Sequence, residues 1–115
     1  MEIRRLQPGK RMSEAVVHNG TVYLAGQVAA DTSQDVAGQT RQVLASIDAL
    51  LKEAGSDKTK ILSAKICLRD ISTFGEMNSV WDQWVPAGHT PARATIESRL
   101  AAPQYLVEII VVAAA

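Results

Sequence analysis

The chain is poor in most of the features that announce a function from composition alone. It has one cysteine, Cys67, so no internal disulfide can form, and a reducing, cytoplasmic setting is the expectation. No secretory-type apolar run opens the sequence, and no stretch approaches the roughly 18 apolar residues of a membrane span. Twelve basic side chains are matched by twelve acidic ones, which argues against the broad positive field that nucleic-acid binding usually requires. Five aromatics among 115 residues cannot build an aromatic ligand box, and the two histidines, His18 and His89, stand apart without a metal-ligand pattern. Repeats, linkers and low-complexity blocks are missing as well.

What the chain does have is aliphatic. At 47% hydrophobic it can bury one core of alanine, valine, leucine and isoleucine, and its length fits a single domain over residues 1–115. From Asp35 to Ala54, Val36, Val43, Ile47, Leu50, Leu51 and Ala54 recur at helical spacing. Asp35 is placed to cap the start and Gly55 to stop the end, which predicts a helix of about 20 residues. A second helix is expected from about Ser72 to Trp84, with Phe74, Met77, Val80, Trp81 and Trp84 on its apolar face, Ser72 and Glu76 as a loose cap, and Pro86 beyond its end.

Strands account for the rest. Asn19-Gly20 between two apolar runs predicts a hairpin over residues 14–25. Residues 60–70 alternate, with Leu62, Ala64, Ile66 and Leu68 expected on one face. Two further strands follow Pro91, giving the order strand, strand, helix, strand, helix, strand, strand, an α+β domain. In the last strand both parity classes are apolar, Val107, Ile109 and Val111 on one face and Leu106, Ile110 and Val112 on the other. Two helices packed on one face of a sheet leave the other bare, so a closed homo-oligomer is expected.

Glu108 stands on that second face among aliphatic neighbours, where a carboxylate is costly unless a cation or good donors meet it. Arg93 opens the preceding strand between Ala92 and Ala94. If those two strands pair antiparallel, Arg93 and Glu108 approach one another. Two readings stay open: a buried ion pair, or a guanidinium facing a cleft and gripping a ligand carboxylate with its planar fork. Cys67 reads as a buried inert thiol, the tryptophans as packing, and Asn78 as structural.

The stretches HTPARATIE (89–97) and VEIIVVAA (107–114), with VYLAGQVA, QTRQVLASIDALLKEAG and DISTFGEMNSVWDQW in order before them, resemble the RidA/YjgF family, and a YoaB-like branch of it. The resemblance covers nearly the whole chain. It implies a chorismate-mutase-like mixed sheet with two helices on one face, assembled as a homotrimer with a ligand cleft between subunits. It also implies hydrolysis of 2-imino acids or their enamines, such as 2-aminoacrylate and 2-iminopropanoate, to 2-keto acid and ammonia, with no metal and no organic cofactor. Carried over by position, Arg93 binds the substrate carboxylate and Glu108 holds the attacking water as general base or orienting acceptor. The backbone around Gly26 and Thr95 lines the pocket. The chain departs from the family at Arg11 and Met12, where many members have proline and tyrosine, and at Thr95, where the family has cysteine. The readings weighed against an imine deaminase are a trimer that binds small carboxylates or 2-keto acids without catalysis, and an RNA-directed activity, which the neutral charge disfavours.

Overall fold

The computed structural model describes residues 2–115. In chain order its elements are β1 (Arg4–Pro8), β2 (Ser13–His18), β3 (Thr21–Leu24), α1 (Val36–Glu53), β4 (Ile61–Leu68), α2 (Phe74–Trp84), β5 (Ala92–Glu97) and β6 (Val107–Ala114). The six strands form one mixed sheet in the order β1-β2-β3-β6-β4-β5, antiparallel except for the parallel pair β4 and β5. Both helices cover one face, where Val107, Ile109 and Val111 of β6 and Ala64, Ile66 and Leu68 of β4 meet Val43, Leu44, Ile47 and Leu51 of α1 and Met77, Val80 and Trp81 of α2. Burial of each larger aliphatic side chain there stabilises the fold by about 1.5–3 kcal/mol.

Local chemistry sets the elements that sequence reading placed. The carboxylate of Asp35 accepts from the Gly38 N–H at 2.8 Å, capping α1. Gly55, at φ +82°, turns the chain left-handed just past its end. Asn19 and Gly20 both have positive φ, the requirement of a two-residue type I′ hairpin.

Four expectations need correction. The sheet has an additional strand, β1, which pairs along β2 and whose residues are mostly exposed, with Leu6 packing against the core. It therefore has no alternation to betray it. A bulge between Ile61 and Ser63 in β4 breaks the register and throws Leu62 outward, 54% exposed, while Ile61 takes the inward place. The second helix begins at Phe74, after a 3-10 turn over Ile71–Thr73 that is capped by the Asp70 side chain through Ser72 N. Hydrogen bonding from the Ser72 side chain, and then from its backbone N–H, holds the Asp70 carboxyl below the usual range. Glu76 caps the other helix instead, its Oε2 accepting from Ala37 N at 3.0 Å and tying the two helices at their N-terminal ends.

The fourth correction bears on function. β5 does not pair with β6, because β4 lies between them. The unit β4-α2-β5 is a parallel strand–helix–strand crossover, so Arg93 stands beside Ala64 and Ala64 beside Val111, while Glu108 stands beside Cys67 and Cys67 beside Ile96.

Candidate functional site

The register decides where the two charged residues point. Side chains alternate along a strand, so Arg93, Ala64 and Val111 project from the helix-covered face, and Glu108, Cys67 and Ile96 from the opposite one. Two strand spacings and three residues along β6 put the Cα atoms of Arg93 and Glu108 about 14 Å apart. Within one chain they cannot form the ion pair that one reading proposed.

Arg93 instead lies along α2. Its Nη1 donates to Asn78 Oδ1 at 2.8 Å. Its Cζ sits 5.2 Å from the centre of the Trp81 ring and 5.6 Å from that of Phe74. Two aromatic faces and one neutral amide thus orient a cation without neutralising it. Of the five N–H donors of a guanidinium, the bond to Asn78 uses one, and the rest remain for an anion. Phe74, Asn78 and Trp81 reach it together because they fall at i, i+4 and i+7 on one side of α2. From the sequence alone, Asn78 reads as structural. Its helical spacing with Phe74 and Trp81 was the available signal, but only the placement of β5 beside α2 gives it meaning.

Glu108 lies against the backbone of Gly26. A Cβ at position 26 would come within 2.9 Å of the Glu108 Cδ, so the glycine is what lets the carboxylate settle there. The adjoining Gln27 fixes that backbone. Its N–H and carbonyl both bond Ile109, at 2.9 and 3.2 Å, and its Nε2 reaches Ala25 O at 3.0 Å and Glu14 Oε2 at 3.2 Å. Cys67, across from Glu108, is buried, and burial pushes its thiol up, with Glu108 adding to the effect and Lys65 opposing it. An inert thiol fits that setting. Thr95 projects from the same face of β5 as Arg93, its hydroxyl buried.

Of the four residues expected at a site, the chain thus brings together Arg93 with Thr95, and Glu108 with Gly26, on two different faces. The Glu108 face is bare: Tyr23 is 49% and Ile96 41% exposed on it. A concavity of about 360 Å³ opens there among Ser63, Lys65, Ala92, Ala94, Ile110 and Val112, with Ala64 and Arg93 also contributing to its lining. Among the described residues no group of three or more histidine, cysteine, aspartate or glutamate side chains is placed to hold a metal ion, and no helix is long and apolar enough to cross a membrane.

Comparison with known proteins adds to this geometry. The profile of the family described as Endoribonuclease L-PSP matches residues 2–115. The chain belongs to this family, the RidA/YjgF family. It is 46% identical over 114 residues to the RutC family protein YoaB of Escherichia coli, covering 99% of each chain. A crystal structure of a YjgF family member from Neisseria meningitidis superposes with a TM-score of 0.97 at 50% identity, over 99% of this chain and 95% of that one. A more distant RidA/YjgF relative, 33% identical over 91 residues (74% of this chain, 66% of the relative), is the 2-iminobutanoate/2-iminopropanoate deaminase of Rattus norvegicus.

Proposed function

We propose that the protein hydrolyses 2-imino acids and their enamine tautomers, such as 2-aminoacrylate and 2-iminopropanoate, to 2-keto acids and ammonia, in clefts between the subunits of a homotrimer. The observation that carries this reading is the state of Arg93, a cation held by Trp81, Phe74 and Asn78 with most of its donors unspent. A planar fork of that kind matches a carboxylate. The chemistry asks for little more. Water oxygen bonds to the carbon of the C=N group, both water protons pass in turn to nitrogen, and ammonia leaves with the electron pair of the broken C–N bond as the oxygen forms the C=O bond. Positioning of substrate and one water can supply several kcal/mol of the barrier reduction.

Glu108 is the group suited to hold that water, but it lies on the other face of its own sheet. A site that uses both residues takes Arg93 from one protomer and Glu108 with Gly26 from its neighbour. The bare apolar face around Tyr23, Ile96, Ile110 and Val112 gives the neighbour a surface to bury. Sedimentation or light scattering is expected to return three times the 12.4 kDa of one chain, and a lone protomer at working concentration would remove the cleft. The decisive assay generates 2-iminopropanoate from alanine with an amino-acid oxidase and follows ammonia and pyruvate. The protein is expected to accelerate their release over the spontaneous reaction. Binding of pyruvate without acceleration would leave a carboxylate-binding protein in place of an enzyme.

Gly26→Ala separates folding from activity. The added Cβ meets the tip of a flexible glutamate rather than backbone, so Glu108 swings aside at little cost. The thermal midpoint is expected to move by only a few degrees, while kcat falls by roughly 10- to 100-fold through misplacement of the carboxylate. Equal losses of stability and rate would show that Gly26 serves the fold alone.

A further inference from the structure

The chain leaves β3 out of step with its partner. Val22 pairs with Ala113 and Tyr23 with Val112, so even stepping would set Gly26 opposite Ile109, yet Gln27 forms the bridge there. One extra residue is thus taken up between Tyr23 and Gln27, which makes a bulge, and bulges re-aim the groups beside them. Four main-chain groups on either side of Gly26 pin it. Ala25 N–H donates to Glu14 O at 2.9 Å, Ala25 O accepts from Gln27 Nε2 at 3.0 Å, and the N–H and carbonyl of Gln27 bond Ile109. Gly26 itself makes no hydrogen bond among the described residues, and it is this unpaired position that lies against the Glu108 carboxylate.

Side chains close the bulge. Gln27 is 8% exposed, and its Nε2 serves both Ala25 O and, at 3.2 Å, Glu14 Oε2. Two acceptors around one end of the amide fix that end as the nitrogen. Glu14 thus holds the segment twice, with its main-chain carbonyl on Ala25 and its carboxylate on Gln27, although it stands on β2, with β3 between it and β6. Both residues line a hollow of about 240 Å³ against Ser46, Leu50 and Glu53 of α1, whereas Glu108 leaves the sheet by the face the helices do not cover. We infer that Glu14 and Gln27 are positioning residues: they lock the bulge, and through it hold Gly26 against Glu108 so that the carboxylate keeps one place. Without the bond to Glu14, the Gln27 amide is tied only to its own loop. The segment can then slip by one residue into even register, with Gly26 opposite Ile109. The inference rests on the reading of Glu108 as the group that holds the attacking water, and it adds what keeps that group in place from behind the sheet.

Steady-state kinetics and amide hydrogen exchange together make the test, on the wild type, Glu14→Ala, Glu14→Gln, Gly26→Ala and the double variant of Glu14→Ala with Gly26→Ala. Glu14→Ala is expected to lower kcat for 2-iminopropanoate about tenfold through the displaced carboxylate, with KM unchanged within about twofold because Arg93 still grips the substrate. Exchange of the Gln27 and Ile109 amides quickens about tenfold in it, while the Ile66 amide, inside β4, keeps its wild-type rate. Glu14→Gln, whose side-chain carbonyl still accepts from Gln27 Nε2, restores both readings. Where Gly26→Ala has already displaced Glu108, Glu14→Ala adds no further loss of kcat, since changes that act through one group do not add. Wild-type exchange at Gln27 and Ile109 in Glu14→Ala overturns the inference whatever the activity. Equal quickening of all three amides overturns it too, and marks a role in stability alone. The two remaining failures are told apart by the wild type. If it is active and local quickening in Glu14→Ala leaves kcat unchanged, the link to Glu108 falls; if it does not accelerate the hydrolysis at all, the reading of Glu108 falls and takes the positioning role with it.

Discussion

Arg93→Ala is expected to lower kcat/KM for 2-iminopropanoate hydrolysis by about 100-fold or more, with the thermal midpoint nearly unchanged. A hundredfold loss corresponds to about 2.7 kcal/mol of transition-state stabilisation, in the range that one bidentate, charge-assisted contact contributes in a site shielded from water. The fold bears little of the change. The side chain is half-buried, its hydrogen bond goes to a neutral amide, and no carboxylate of its own chain depends on it for charge balance among the described residues. Arg93→Lys is a sharper test of geometry. It keeps the charge but loses the fork and the flat stacking on Trp81 and Phe74, so it is expected to recover only part of the rate. Steady-state measurement of pyruvate release against the uncatalysed background reads both variants. Wild-type rates in Arg93→Ala would remove the proposed anchor.

Gln39→Leu is expected to cost the most stability of any single polar replacement, about 3–4 kcal/mol, seen as a fall of roughly 10–20 °C in thermal midpoint. Gln39 has no exposed surface. Its Nε2 serves Gln104 O at 3.1 Å, Gln34 O at 3.2 Å and Thr32 O at 3.4 Å, and its Oε1 accepts from Leu106 N at 3.0 Å. One amide thus clamps the segment entering α1 to the segment entering β6. Leucine fills the volume but strands the Leu106 N–H and deprives the carbonyls, and an unmade buried bond costs more than a made one contributes. Gln39→Glu is expected to be worse still, because it sets an acceptor, and at neutral pH a charge, against three carbonyl oxygens. Urea unfolding monitored by tryptophan fluorescence checks the order, and a Gln39→Leu protein as stable as wild type would refute this account of the clamp. Since Leu106 precedes Glu108 by two residues, loosening of the clamp should also reach the β6 end of the candidate site.

How much could be read in advance depended on how local the controlling interactions were. α1 was legible from Asp35, its apolar stripe and Gly55, and the first hairpin from Asn19-Gly20, because a cap, a 3.6-residue period and a pair of positive φ values all act within a few residues. Helix α2 is legible in its body and not in its start, because a 3-10 turn capped by Asp70 precedes it, its own N-cap Thr73 makes no side-chain cap bond, and Glu76 serves the neighbouring helix. β1 escaped notice, since a mostly exposed edge strand needs only backbone partners. Leu62 was assigned to the core on a period that one bulged residue interrupts.

The amino-acid order by itself determined the composition of the layers, an aliphatic last strand apolar on both sides, and the presence of one arginine and one glutamate in settings that ask for partners. Those follow from periodicity and from the cost of burying charge, and both are properties of a short window of chain. Only the tertiary structure decided that β4 separates β5 from β6, that Arg93 and Glu108 leave opposite faces, and that Phe74, Asn78 and Trp81 converge on the guanidinium. Strand pairing is chosen by the competition of distant segments for a shared core, and the face on which a side chain emerges changes with a shift of one residue in register. A sequence window contains neither the competitor nor the register.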